Sequence, residues 1–278
     1  IFVLNNGKFQ NKLMKQVSST QNQLVKDILQ LQDKSKARKK TGHFIIEGFR
    51  EINFALKNGY DVQQILFCFD LFDQNLIKTF EKQINSKIEL IEVTKEVYQK
   101  IAYRESTEGI IALSKIKGHE LINLNLPENP LIVVLESLEK PGNIGAILRT
   151  VDAAHIDAVI IADAKTDLYN PNIVRSSVGA IFTNRIAVAS SEEVIQFLKE
   201  KNIAIYSAIL QEAVPYYSVN YKGGSAIVMG TEATGLTEIW RKESTKNIII
   251  PMEGQIDSMN VSVAAAVLLF EAKRQRNL

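Results

Sequence analysis

Residues 227–235 read IVMGTEATG, residues 248–251 read IIIP, and residues 254–264 read GQIDSMNVSVA. The first two segments are apolar runs typical of buried strands, and each stops abruptly at a loop marked by glycine or proline. In open α/β sheets, ligands bind where the carboxyl ends of strands give way to loops. Glycine in such a loop lets backbone groups approach a ligand without interference from a Cβ atom. We therefore expect a ligand pocket here.

Upstream of this stretch, apolar strands alternate with helical patterns. The first strand is Leu131–Leu135, and the loop Glu136–Gly142 leads from it into a helix for which Asn143 is the expected N-cap. Strand–helix alternation predicts a mostly parallel sheet with helices on both faces. The last helix is apolar on almost every side over Val261–Phe270, so it should be buried or lie in a subunit interface.

The first part of the chain predicts a smaller α/β domain. Residues 18–114 alternate short strands with helices, including a predicted helix over Leu71–Gln83. Residues 1–17 are polar, with few periodic apolar positions, and are interpreted as a frayed or partly disordered lead-in. Residues 115–130 carry two prolines and several polar residues and are the predicted linker to the second domain, 131–278.

The formal charge is distributed unevenly along the chain. The first 42 residues hold nine Lys or Arg against two Asp, a net charge of +7, which leaves −5 for the remainder of a chain whose total is +2. Such asymmetry is typical of a basic face that meets a polyanion. The candidate contacts to such a polyanion, for example RNA if the rest of the chain also indicates nucleic acid, are Lys36, Arg38, Lys39 and Lys40. The alternative interpretation of this charge run is a solvated helix face.

Composition argues against several classes of protein. One cysteine, Cys68, and three histidines provide no metal-ligand spacing, so no metal is expected. The longest apolar run is far shorter than the roughly 20 residues that span a bilayer, so no membrane segment is expected. With no secretory signal visible in this sequence, we expect a cytoplasmic protein.

Three loops of the second domain gather polar residues, and each residue has a simpler structural interpretation. Arg149 would be an exposed arginine, or it would bind phosphate bidentately from a helix beside the ligand edge. Glu232 would be an exposed loop residue, and Ser258 or Asn260 would cap the last helix. Without further information, the residues indicate an α/β ligand-binding enzyme.

Three segments in this order resemble the signature motifs of the SpoU (TrmH-like) RNA 2′-O-ribose methyltransferases. They are Asn143…Arg149, then Gly230-x-Glu232-x-x-Gly235, then Ile250-Pro251…Ser258-Met259-Asn260-Val261-Ser262-Val263-Ala264. Two positions depart from the common pattern: Ala233 stands where many members have a second glycine, and Met259 stands where leucine is commoner. Neither departure removes a reacting group.

The segment Arg38…Gly42-x-Phe44-Ile45-Ile46-Glu47-Gly48 resembles the substrate-binding domain that many members of this family carry. That likeness implies a ribosomal-protein-like RNA-binding fold for the first domain. For the second domain, the resemblance implies a trefoil knot in which the C-terminal segment threads through a loop. It also implies a homodimer that pairs through the C-terminal domain.

The resemblance also implies a cofactor and an active site. S-adenosylmethionine is expected at Gly230, Ile250 and Met259, held mainly by backbone groups. Arg149 is expected to hold the target phosphate and to stabilise the developing 2′-oxyanion. Asn143, Glu232, Ser258 and Asn260 are expected to orient that arginine and the ribose.

The expected reaction is methyl transfer to a ribose 2′-hydroxyl of structured RNA. The extra first domain favours 23S-type ribosomal RNA over transfer RNA, and neither guanosine nor another nucleotide is singled out. A tRNA methyltransferase and a non-catalytic RNA-binding member of the fold remain as alternatives. A nucleotide-dependent oxidoreductase is disfavoured because the GxGxxG fingerprint is absent from residues 141–149.

Overall fold

The computed structural model describes residues 14–76, 84, 87–103, 108–255 and 258–277. These residues form two compact units, Ile1–Lys117 with Tyr169–Thr183, and Gly118–Leu168 with Asn184–Leu278, each within its described part. The predicted domain boundaries divide the chain linearly, whereas the segment Tyr169–Thr183 groups with the first unit.

The described helices are distributed over both units. In chain order they are α1 (Gln23–Asp33), α2 (Ser35–Thr41), α3 (Phe49–Lys57), α4 (Lys95–Ile101), α5 (Pro141–Ala153), α6 (Pro171–Ser176), α7 (Ala180–Thr183), α8 (Ser191–Glu200), α9 (Glu238–Glu243) and α10 (Val261–Arg276). Short 3-10 turns lie at Gln74–Leu76, Leu121–Asn123 and Tyr216–Ser218. None of the described helices is long and apolar enough to cross a membrane.

The sheet of the first unit is mixed. Its described strands are β1 (Lys15–Val17), β2 (His43–Glu47), β3 (Val62–Phe67), β4 (Glu89–Val93) and β5 (Ile110–Lys115), in the order β1-β4-β3-β5-β2. Strands β1 and β3 run parallel to β4, whereas β5 runs antiparallel to both β3 and β2. This arrangement confirms the predicted α/β class for the first domain.

Two local predictions in the first unit were wrong. Residues 15–17 were assigned to a lead-in, but they form β1, which pairs with β4 and buries Val17. The predicted helix over Leu71–Gln83 is not helical at its start, where the described residues contain only the turn Gln74–Leu76. The remainder of that prediction, residues 77–83, lies outside the described residues.

Tyr169–Thr183 belongs to the first unit because it completes an aromatic cluster there. The ring of Tyr169 lies 4.1 Å from that of Phe44, and the ring of Phe182 lies 5.0 Å from that of Tyr60. All four side chains are buried. Since buried aromatic side chains dominate the energetics of packing, this cluster fixes α6 and α7 on β2 and α3.

The sheet of the second unit is entirely parallel in its described strands. They are β6 (Leu131–Glu136), β7 (Ala158–Ala162), β8 (Ile186–Ala189), β9 (Ala204–Ala208), β10 (Val214–Pro215), β11 (Ser225–Met229) and β12 (Lys246–Ile249), in the order β10-β12-β9-β11-β6-β7-β8. The predicted mostly parallel sheet is therefore confirmed. The knot is not established by strand order and stays a prediction.

The core of the second unit contains residues from its strands, from its helices and from the segment predicted as a linker. Ile132 and Val134 on β6 pack in one cluster with Leu198 on α8 and Trp240 on α9. Leu124, from the predicted linker, is 9% exposed and belongs to the same cluster. The segment after β5 is therefore packed against the second unit over part of its length.

The last helix is fastened at its end by one arginine. The guanidinium of Arg276 donates to the carbonyls of Asn129, Pro130, Tyr221 and Gly223, at 2.6, 3.2, 2.8 and 2.5 Å. Those carbonyls precede β6 and β11, the two central strands. Partial burial lowers the pKa of Arg276 from its ordinary value. Arg276 thus ties α10 to the start of both strands.

Candidate active site

The loop after β6 enters α5 earlier than the sequence predicts. The helix begins at Pro141, with Lys140 at the N-cap position and no side-chain capping bond. Asn143 is therefore not the N-cap, and that prediction was wrong. Proline is favoured in the first turn of a helix because its missing N–H would have no intrahelical partner there. The amide of Asn143 is left to bond elsewhere.

The loop after β11 is a tight closed turn. The backbone N–H of Thr231 donates to the carbonyl of Gly235 at 3.2 Å, and the N–H of Gly235 donates back to the carbonyl of Thr231 at 3.0 Å. Gly235 has φ +68°, a left-handed conformation that glycine adopts without strain. A Cβ atom on Gly230 would lie 2.3 Å from the carbonyl carbon of Gly235. Glycine at position 230 is therefore required by the loop's own backbone.

The third loop ends at Asn260, which is the N-cap of α10. The sequence predicted that either Ser258 or Asn260 would cap this helix. Oδ1 of Asn260 accepts from the backbone N–H of Ser262 at 2.9 Å. A capping asparagine satisfies a backbone N–H that has no partner within the helix. Its side-chain NH2 group remains free of the cap and points to the other two loops.

Glu232 joins all three loops in one cluster of hydrogen bonds. Its Oε1 accepts from Nδ2 of Asn143 at 3.2 Å and from Nδ2 of Asn260 at 2.8 Å. The backbone N–H of Val261 donates to the same oxygen at 3.4 Å. The ammonium group of Lys140 binds the other oxygen, Oε2. Nδ2 of Asn260 also donates to Oδ1 of Asn143 at 3.1 Å. The cluster therefore joins residues that are up to 117 positions apart in the sequence.

The cluster keeps the carboxyl group of Glu232 ionised. Its hydrogen bond with Lys140, and next the bond from the Val261 amide, hold the pKa of Glu232 below its ordinary value. The side chain is 29% exposed. A carboxylate with four donors and a lowered pKa is a poor proton acceptor, so its function is to position the loops.

A cavity of about 390 Å³ opens beside this cluster at the carboxyl ends of β9, β11 and β12. Cavities of this size suit small-molecule ligands and cofactors. Its walls are mainly apolar side chains and loop backbone. Residues from several loops and from α9 line it, among them Gly230, Glu232, Arg241, Ile250, Ser258 and Met259. The predicted cofactor residues Gly230, Ile250 and Met259 thus line one cavity, together with Ser258 and Glu232.

Arg149 is not brought into this cavity. It lies on α5, is exposed, and is absent from the described residues that line the cavity. Asn143 and Asn260 likewise contribute through the cluster rather than through the cavity wall. Within one chain, the structure therefore assembles the loop residues of the predicted site but leaves the predicted catalytic arginine on the surface.

The basic residues of α2 differ in their environment. Lys36, Lys39 and Lys40 are exposed, as an RNA contact requires. Arg38 is 2% exposed, and its guanidinium donates to the carbonyls of Leu31 at 2.6 Å and Gln32 at 3.1 Å. The assignment of Arg38 to RNA binding is therefore wrong: it is buried where it satisfies carbonyls at the end of α1.

Two residues of the site were missed in the sequence. Lys140 pairs with Glu232 across 92 positions, and no local pattern indicates a contact of that range. Arg241 lines the cavity from α9, a short helix that the sequence analysis did not assign.

Comparisons with known proteins extend over both units. Residues 130–270 match the model of the SpoU rRNA Methylase family, and residues 22–112 match that of the MRM3-like substrate binding domain. The 23S rRNA (guanosine(2553)-2'-O)-methyltransferase RlmP of Bacillus subtilis is 28% identical over 94% of this chain and 100% of that protein. The 23S rRNA (guanosine-2'-O-)-methyltransferase RlmB of Neisseria meningitidis is 31% identical over 84% of this chain and 96% of that protein.

A solved structure agrees with the fold along nearly its whole length. The crystal structure of an AdoMet-bound rRNA methyltransferase from Sinorhizobium meliloti superposes with a TM-score of 0.86 and 27% identity. The match covers 94% of this chain and 98% of that chain.

Proposed function

Because the chain belongs to the SpoU rRNA methylase family, we propose that it transfers a methyl group from S-adenosylmethionine to a ribose 2′-hydroxyl of ribosomal RNA. The observation that carries this proposal is the cavity at the ends of β9, β11 and β12, directly beside the cluster centred on Glu232. The substrate class is supported by the match of residues 22–112 to a substrate-binding domain and by the relatives that act on 23S rRNA.

The cavity suits the proposed cofactor. Its apolar wall accommodates a flat nucleobase, and the loop that contains Gly230 also lines the cavity. Ile250 and Met259 would hold the cofactor together with Gly230. When bound, S-adenosylmethionine supplies a methyl group on a sulfonium centre.

The residues of this chain divide the remaining tasks. Glu232, Asn143 and Asn260 hold the three loops in one arrangement, and Ser258 lines the cavity close to them. Arg149, exposed on α5, is available for the RNA and would hold a phosphate of the target nucleotide through its planar fork. Electrostatic stabilisation of the 2′-oxygen by such a cation lowers the barrier without requiring a proton acceptor of unusual pKa.

We also propose that two chains pair through the second unit. On α10, Val263 and Phe270 are 52% and 50% exposed and lie on one helical face, since they are seven residues apart. Ala266 and Val267, between them on the same face, are partly exposed. Exposed apolar stripes of this kind are typical of interaction surfaces.

The test of the proposed function is methyl transfer from labelled S-adenosylmethionine to ribosomal RNA, followed by mapping of 2′-O-methyl sites. We expect one modified ribose in ribosomal RNA and none in total transfer RNA. Modification of transfer RNA instead would favour the first alternative. Binding of S-adenosylhomocysteine and ribosomal RNA without any transfer would favour a non-catalytic RNA-binding protein.

A further inference from the structure

The cavity wall holds a single basic side chain among its described residues, that of Arg241. The only other charged residue in this wall is Glu232, whose carboxylate is already occupied by Lys140 and two asparagine amides. In the described part of the chain, no acceptor forms a hydrogen bond or close ion pair with Arg241. The cavity therefore presents one cation that is available to a ligand.

The backbone that precedes Arg241 is held in place at two residues, Thr237 and Trp240. Thr237, at the N-cap of α9, donates its backbone N–H at 2.9 Å to Glu136, a carboxylate that is 1% exposed at the end of β6. Trp240 is fully buried, and its indole N–H donates to Oγ of Ser191 at 3.0 Å. Since its immediate neighbour is anchored, the backbone of Arg241 is already ordered, and only its exposed side chain must be ordered on binding.

The next residue of the same helix has a different environment. Lys242 does not line the cavity, and its ammonium group pairs with Glu238 at 2.8 Å on the surface. The pKa of Glu238 is lowered first by this bond, and the charge of Arg241 is the smallest of the contributions that lower it. Two neighbouring cations of one helix therefore differ in two respects: only Arg241 lines the cavity, and only Lys242 is paired with Glu238.

We propose that Arg241 binds the α-carboxylate of the cofactor's amino-acid moiety. This inference rests on the proposed function, because it identifies a contact for the cofactor assigned to this cavity. S-adenosylmethionine has one anionic group at neutral pH, its α-carboxylate, whereas its α-ammonium and sulfonium are cationic and its adenosine is neutral. A guanidinium in the wall is complementary to that group alone. The fork of an arginine matches a carboxylate with two parallel hydrogen bonds.

The test compares two ligands that share adenosine and a thioether, and only one of them carries the amino-acid moiety that Arg241 would bind. S-adenosylhomocysteine carries the amino-acid moiety, whereas 5′-methylthioadenosine has the same adenosine and thioether but no carboxylate. Affinities are measured by titration calorimetry for the unchanged chain, Arg241→Gln, Arg241→Lys and the matched control Lys242→Ala. The control removes one positive charge from the same short helix without altering the cavity wall.

We expect Arg241→Gln to weaken S-adenosylhomocysteine binding by about tenfold or more, the size of a charge-assisted hydrogen bond. Its affinity for 5′-methylthioadenosine should not change. Arg241→Lys should lose less, because it keeps the charge but not the fork. Lys242→Ala should bind both ligands as the unchanged chain does.

Two results would overturn the inference. Unchanged S-adenosylhomocysteine affinity in Arg241→Gln would mean that the arginine does not contact the cofactor, even if RNA affinity fell. Equal losses for both ligands would mean that Arg241 supports the shape of the wall. Arg241→Lys provides the same comparison if the glutamine variant does not fold. Failure of the unchanged chain to bind S-adenosylhomocysteine would instead contradict the proposed function itself.

Discussion

The carboxylate of Glu232 accepts a hydrogen bond at 2.8 Å from the side-chain amide of Asn260, a residue that simultaneously caps α10. One asparagine thus fixes the start of the last helix and binds the loop after β11. The cavity lies between these two segments, so its shape depends on a contact between side chains that are not themselves expected to react.

Removal of the Glu232 carboxylate should disconnect the three loops. In Glu232→Ala, Asn143, Asn260 and Lys140 lose their shared acceptor, and we expect S-adenosylhomocysteine affinity and the rate of methyl transfer to fall by about 10- to 100-fold, as for loss of hydrogen bonds to a charged group. Glu232→Gln should be milder because it retains one acceptor oxygen. Glu253→Ala, an exposed carboxylate in a neighbouring loop, is the control. Calorimetry and single-turnover kinetics measure both effects, and normal values in Glu232→Ala would contradict the positioning role.

Gly230 and Gly142 should respond in opposite ways to a larger side chain. A Cβ at Gly230 would lie 2.4 Å from the carbonyl oxygen of Gly235, so Gly230→Val must open the loop and should cost about 1–3 kcal/mol of folding free energy or more. A Cβ at Gly142 would meet no atom within 4 Å, and Gly142→Ala should leave stability unchanged or raise it. Thermal unfolding and S-adenosylhomocysteine titration distinguish the two. Retained binding in Gly230→Val would show that the loop rearranges at little cost.

Arg149 should affect the reaction without affecting the cofactor. If it stabilises the 2′-oxyanion and holds phosphate, Arg149→Ala should lower the single-turnover rate on the cognate RNA by on the order of 10²–10³. Arg149→Lys should be nearly as impaired, because lysine lacks the planar fork. S-adenosylhomocysteine affinity should be normal in both variants, since Arg149 does not line the cavity. Near-normal turnover in Arg149→Ala would remove this residue from the chemistry.

The basic residues of α2 should separate into RNA contacts and a packing residue. Replacement of Lys36, Lys39 and Lys40 by Ala should reduce the salt dependence of RNA binding by up to about 0.9 log–log units per lost duplex phosphate contact, or about 0.7 for a single strand. The rate at saturating RNA should change little. An unchanged salt slope would identify these lysines as a solvated face.

Arg38→Ala is the complementary variant in the same helix. The buried carbonyl of Leu31 and the partly buried carbonyl of Gln32 would lose their donor, which should lower the free energy of unfolding by about 1–3 kcal/mol. Lys40→Ala, at an exposed position, should not change it. Chemical denaturation of the two variants provides the comparison, and equal stabilities would contradict the structural role of Arg38.

The apolar stripe on α10 should control association. We expect the unchanged chain to sediment at twice 31.2 kDa at micromolar concentration. Val263→Ser with Phe270→Ser should shift the equilibrium towards monomer, because the exposed apolar area that a partner would cover is reduced. A monomeric unchanged chain would refute the proposed pairing.

Local patterns in the sequence predicted much of this structure. The apolar run Leu131–Leu135 predicted β6, and the pairing of Ser190 with Glu193 predicted the capping box that starts α8. These predictions succeed because a buried strand and a helix cap each depend on a few consecutive residues. Strand β1 was missed because only Val17 of its three residues is buried, which leaves no alternation to detect.

The sequence predicted which loops form the site, but not the contacts between them. The resemblance identified Asn143, Glu232 and Asn260, but their mutual hydrogen bonds depend on the order of β6, β11 and β12 in the sheet, which no local pattern contains. The burial of Arg38 shows the same limit, because a run of like charges does not reveal which member faces inward. The position of Arg149 relative to the cavity likewise depends on the direction of α5 rather than on its spacing from Asn143.

The hydrogen bonds from Arg276 to the segments before β6 and β11 have a consequence for the protein during its synthesis. The carbonyl of Asn129 accepts a hydrogen bond from Arg276, which is synthesised 147 positions later. The helix that carries Arg276, α10, also contributes Val261, Ala264 and Leu268 to the cavity wall. A nascent chain that ends before α10 therefore has all the described strands of this sheet but lacks part of the cavity wall. Proteolytic trimming of the last helix would return a mature molecule to the same condition. A complete wall for this cavity is thus acquired only after α10 has been synthesised.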